Sequence, residues 1–89
     1  MKGSIVIMNK IINGRKYDTN TAKKIFEYTF FDSNSITLYR KKNGEFFLYY
    51  WGFLNGERIE PLTEDEAKDW VADKTNADAY EELFGPVEE

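Results

Sequence analysis

The stretch EFFLYYWGF, Glu45 to Phe53, sets six aromatic rings within nine positions. It is too apolar for a loop and stands between two Asn-Gly pairs, Asn43-Gly44 and Asn55-Gly56. Asn-Gly suits a type I′ hairpin turn, because both central residues there need positive φ and these two tolerate it best. ITLYRKK precedes the first pair and ERIEPL follows the second. Residues 36–62 therefore predict a three-stranded meander with the aromatic run as its middle strand, where β-forming residues are paired on both sides. A third pair, Asn13-Gly14, joins IVIMNKII to RKYD and predicts an N-terminal hairpin.

Side chains alternate across a strand, so Phe46, Leu48, Tyr50 and Gly52 share one face, and Phe47, Tyr49, Trp51 and Phe53 the other. The first set is assigned to a core beneath helices. The second carries Tyr and Trp, which favour interfaces. Its cover is left open among the N-terminal hairpin, a second copy and a partner, with Phe47, Tyr49, Trp51 and Phe53 as candidate aromatic anchors.

Three helices are predicted around this sheet. In TNTAKKIFEYTF, Ala22, Ile25, Phe26 and Thr29 fall at i, i+3, i+4 and i+7, with Asp18 or Thr19 as cap. FDSNS, residues 31–35, reads as a loop. After Pro61, TEDE forms a capping box with Thr63 as N-cap and Glu66 at N3. Ala67, Trp70, Val71 and the alkyl stem of Lys74 make the buried stripe of that helix. Asn76 caps a last short helix, DAYEELF, which buries Tyr80, Leu83 and Phe84 and stops at Gly85-Pro86. The expectation is an α+β fold in the order ββαβββαα, an antiparallel sheet with helices on one face. Its 89 residues make one domain, 1–89, with 1–7 an optional extension if Met8 is the start.

The chain has no cysteine and no histidine, which removes thiolate chemistry, the commonest general base and the commonest zinc ligand. No serine stands in a nucleophile-like context, and no carboxylate pair is set in a pocket. The expectation is no enzyme, no catalytic residue and no cofactor. Asp65, Asp69 and Asp73 recur every four residues, but without a glycine-turned loop they read as a solvated acidic face and not as a metal site. No apolar run is long enough to span a membrane, and a soluble, cytoplasmic chain is expected.

Charge divides the chain. Residues 1–59 hold ten Lys/Arg against five Asp/Glu, a balance of +5; residues 60–89 hold two against eleven, a balance of −9. Two opposite uses follow. Arg40, Lys41 and Lys42 beside the aromatic strand suggest a base-stacking, phosphate-binding sheet, although the net charge of −4 opposes it. Glu64, Asp65, Asp69, Asp73, Asp78, Glu81 and Glu82 suggest a rigid acidic surface that occupies a basic nucleic-acid channel on another protein. Ordinary surface charge that keeps the chain soluble is the alternative.

The phrases KIINGRKYDTNTAKKI, LYRKKNGEFFLYY, ERIEPLTEDEAKDWV and YEELFG, spread over residues 9–85, resemble a family of small proteins from phages and integrative elements of Firmicutes. The resemblance transfers no catalytic signature. It implies an accessory protein in an infected or element-bearing bacterium, acting as an inhibitor of host defence; anti-CRISPR proteins against type II effectors are the specific expectation. The partner so implied is a host protein or nucleoprotein complex, a CRISPR effector nuclease, with direct nucleic-acid binding and a structural homodimer as the alternatives.

Overall fold

The computed structural model describes residues 8–31, 33–52 and 56–88. The chain is α+β, and its described residues form six strands followed by two helices: β1 (Asn9–Ile12), β2 (Arg15–Asp18), β3 (Lys23–Phe30), β4 (Asn34–Arg40), β5 (Phe46–Gly52), β6 (Arg58–Leu62), α1 (Glu64–Lys74) and α2 (Ala77–Phe84). β1 and β2 form a two-stranded hairpin, and β3-β4-β5-β6 an antiparallel sheet in sequence order. Among the described residues no helix is long and apolar enough to cross a membrane.

The helix expected over TNTAKKIFEYTF is instead strand β3, so the order is ββββββαα with two helices. Two periodicities compete in this stretch. Phe26, Tyr28 and Phe30 alternate at strand spacing, inside a run rich in β-branched and aromatic residues. Pairing with β4 decides between them, from Lys23↔Arg40 to Phe30↔Asn34. The expected caps have other work. Thr19 continues the hairpin, its N–H donating to the Met8 carbonyl at 2.9 Å and its hydroxyl accepting from the Met8 N–H at 2.9 Å. Asp18 accepts from the Asn20 N–H at 2.8 Å, which turns the chain toward β3. Asn34 and Ser35, expected in a loop, already belong to β4.

The first Asn-Gly pair behaves as expected: Asn13 and Gly14 both have positive φ, 53° and 77°. At the second only Gly44 does, at 93°. Gly44 donates to the Lys41 carbonyl at 2.9 Å and Lys41 to that of Glu45 at 2.7 Å. That is a three-residue loop with a bulge glycine in place of a type I′ turn. Asn55 lies outside the described residues. Gly56 has a φ of 66°, and Tyr50↔Arg58 begins the β5–β6 ladder just beyond it.

β5 is the middle of the fold, with a core on each face. On one side Phe46, Leu48 and Leu38 pack beneath Ala67 and Val71 of α1, with Tyr50, Trp70, Tyr80, Leu83 and Phe84 around them. Both helices are anchored as their caps predict. Glu66 N–H donates to the Thr63 hydroxyl at 3.1 Å and the Thr63 N–H to the Glu66 carboxylate at 2.9 Å, while the Ala79 N–H donates to the Asn76 side chain at 3.0 Å. On the other side the N-terminal hairpin lies over Phe47, Tyr49 and Ile59, contributing Tyr17 and, at its margin, Met8 and Ile12.

Candidate functional site

Two of the aromatic anchors named from sequence are interior residues. Phe47 is fully buried and Tyr49 nearly so, because the β1–β2 hairpin closes that face. The Tyr49 hydroxyl donates to Glu57 at 2.6 Å. Burial, and then the Glu57 carboxylate, raise its pKa well above the usual phenol value. Trp51 remains 44 % exposed where the hairpin's cover ends; Phe53 lies outside the described residues. Beyond the hairpin the face opens into a shallow groove of about 290 Å³, walled by Trp51 and Tyr49 and floored by Ser35 and Thr37.

The basic candidates do not form a track. Lys41 donates to Glu45 at 2.7 Å and sits 4.1 Å from the Tyr17 ring centroid. Glu45 also pairs with Arg15 across the hairpin; its hydrogen bond from Lys41 holds its carboxyl below the ordinary carboxylate range. Arg40 lies over the Phe46 ring at 5.4 Å. Lys42 is exposed at the turn. With Phe47 and Tyr49 interior, no row of exposed rings stands beside these cations among the described residues.

The acidic candidates are all exposed on the two helices, Glu82 at a cavity that Lys23, Lys24 and Arg40 of the sheet also line. Glu64, Asp65, Asp69 and Asp73 on α1 and Asp78, Glu81 and Glu82 on α2 are all exposed, while Ala67, Val71, Tyr80, Leu83 and Phe84 point into the fold. Asp65, Asp69 and Asp73 follow one another at about 6 Å along the α1 axis. The two lysines of this layer are engaged within it, Lys68 with Glu64 at 3.5 Å and Lys74 with Asp73 at 3.0 Å. Asp65, Asp69, Asp78 and Glu82 face solvent without an ion pair among the described residues. No three acidic side chains among the described residues converge closely enough to hold a metal ion.

One surface feature escapes the sequence reading. Tyr28, Phe30 and Phe31 form a ring cluster at the far end of β3, with Tyr28 and Phe30 stacked at 5.8 Å and Phe31 edge-on to Phe30 at 5.6 Å. Phe31 is 76 % exposed. Its signal is the two-residue alternation of Phe26, Tyr28 and Phe30, masked by the helical stripe that overlaps it. Comparison of the chain with known protein families, with curated proteins and with solved structures finds no match.

Proposed function

We propose that the chain is a stoichiometric binding protein that sets its two-helix acidic layer into a basic groove of another protein, and so blocks nucleic acid from entering. The observation that supports this is that seven carboxylates of the two helices are exposed while Lys68 and Lys74 are paired with Glu64 and Asp73. Fixed charges of one sign raise the association rate with an opposite surface and compete directly with phosphates. α1 is held from beneath by Ala67 and Val71, both fully buried, and α2 by the half-buried Tyr80, Leu83 and Phe84, so docking does not first have to fold them.

The resemblance to phage and integrative-element proteins makes a host defence nuclease the target class, and a type II CRISPR effector the specific target. Trp51 is the one anchor candidate that is both described and exposed.

The test is titration of the purified chain against such an effector, reading DNA cleavage and complex formation at rising salt. The expected result is stoichiometric inhibition that weakens steeply with salt and is lost when Asp69 and Asp73 are both changed to Lys. Inhibition that survives those reversals overturns the acidic mechanism; failure to associate with the effector overturns the target.

A further inference from the structure

The sheet has two edges, β3 and β6, and they are protected unequally. β6 is five residues long and contains Pro61, which donates no ladder hydrogen bond. β3 is eight residues long. Its first half carries Lys23 and Lys24 and a register shift between Lys24 and Phe26; charge and bulges are the usual devices that stop an edge from pairing. Its second half, Phe26 to Phe30, has neither proline nor bulge and runs in regular register against β4; its one charge is Glu27, paired with Lys24, and Lys74 of α1 lies over the Tyr28 ring at 4.9 Å. Among the described residues no strand pairs with its outer side. This same half carries the Tyr28–Phe30–Phe31 ring cluster, with Tyr28 37 % exposed.

We propose that this half-strand joins two copies of the chain, β3 pairing antiparallel with β3 of a second copy about a two-fold axis at Tyr28. The occupant is a second copy because the segment matches itself. An axis at Tyr28 sets Phe26 opposite the partner's Phe30, Tyr28 opposite the partner's Tyr28, and Glu27 opposite the partner's Thr29. One face then carries a ladder of six rings, the kind of cross-strand pairing that stabilises antiparallel sheets. On the other face no like charges meet. An axis one residue earlier would set Glu27 against the partner's Glu27 and draw the bulge into the ladder. An axis one residue later would set Glu27 against the partner's Phe31, already in the turn. The contact is isologous and closed, so it yields a dimer and not a fibre.

The dimer extends each four-stranded sheet into one continuous sheet. An axis perpendicular to that sheet keeps both helical layers on the same face. The inference stands independently of the acidic docking proposed above; where both hold, the two acidic layers engage a target bivalently.

Sedimentation equilibrium of the full chain from micromolar to millimolar concentration tests it, together with two substitutions at Thr29, which is exposed. The wild-type mass is expected to double across this range. Thr29→Glu places a carboxylate opposite Glu27 at two symmetric positions and is expected to weaken the dimer about tenfold. Thr29→Lys sets opposite charges there and is expected to strengthen it. A chain that stays monomeric throughout overturns the proposal. So does a dimer on which the two substitutions act equally, since that places the contact elsewhere.

Discussion

The Tyr17 ring stands edge-on to Phe47, with centroids 5.5 Å apart and planes at 81°. Tyr39 stacks on Phe47 at 5.2 Å from the neighbouring strand, and Lys41 lies over Tyr17. The hairpin is therefore attached to the sheet mainly through one ring, with Lys41 as its lid. Tyr17→Ala is expected to cost about 3 kcal/mol, the usual range for truncating a buried aromatic, in urea unfolding followed by tryptophan fluorescence. Tyr17→Phe keeps the edge contact and is expected to cost less than half as much.

Buried Tyr49, hydrogen-bonded to Glu57, is expected to make the fold sensitive to alkali. Burial raises the Tyr49 phenol first, with Glu57 adding to it, and burial likewise raises Tyr50 beside Glu60. A phenol whose acidity is weaker in the folded state contributes its full stability below the ordinary value of 10.0. That contribution is lost as pH rises beyond it, because the unfolded chain releases its protons first. Urea midpoints are expected to hold level, as far as these groups are concerned, up to about pH 10 and to fall above it. Tyr49→Phe is expected to cost about 1 kcal/mol at neutral pH and to flatten the alkaline fall. An unchanged slope in that variant would remove Tyr49 as its cause.

Gly52 pairs with Asn34 at the start of β4. Its φ is 131°, and a Cβ built there would fall 2.6 Å from the Asn34 Cα and against the Ser33 carbonyl. Both obstacles are backbone. Gly52→Ala is expected to destabilise by roughly 3 kcal/mol, from strain at an unfavourable φ together with displacement of the Asn34 strand end. By contrast Gly44→Ala meets nothing within 4 Å, so only the backbone term remains, and a smaller loss is expected in the same unfolding measurement.

What the sequence makes legible is local. Thr63, Glu66 and Asn76 announce the helix starts because capping chemistry needs only neighbours within one turn. The meander is legible because hydrophobic alternation and Asn-Gly pairs coincide along β4, β5 and β6. β3 is not, since Phe26 belongs both to a helical stripe with Ala22, Ile25 and Thr29 and to a strand alternation with Tyr28 and Phe30, and only pairing with β4 separates the two. The acidic surface is legible because both its helices are; all seven carboxylates fall outside. The burial of Phe47 and Tyr49 is not, because it depends on where a hairpin thirty residues earlier comes to rest. The β3 ring cluster is lost with the strand that carries it.

The acidic layer offers a way to separate charge from stability. Glu64 and Asp65 stand in the first turn of α1, where negative charge favours the helix dipole; reversing them would weaken the helix as well as the surface. Asp69 lies mid-helix, exposed and outside any ion pair among the described residues. Lysine there would stand four residues from both Asp65 and Asp73, a spacing that favours opposite charges. Asp69→Lys is therefore expected to leave the unfolding midpoint within about 0.5 kcal/mol of wild type while weakening association with a basic partner. Thr63→Ala does the reverse. It frees the Glu66 N–H from its cap, is expected to cost about 1 kcal/mol, and changes no charge. Binding measured well below the unfolding transition should follow Asp69 and ignore Thr63. If it follows Thr63 instead, the partner reads the ordering of α1 and not its charge, and the acidic docking proposal fails.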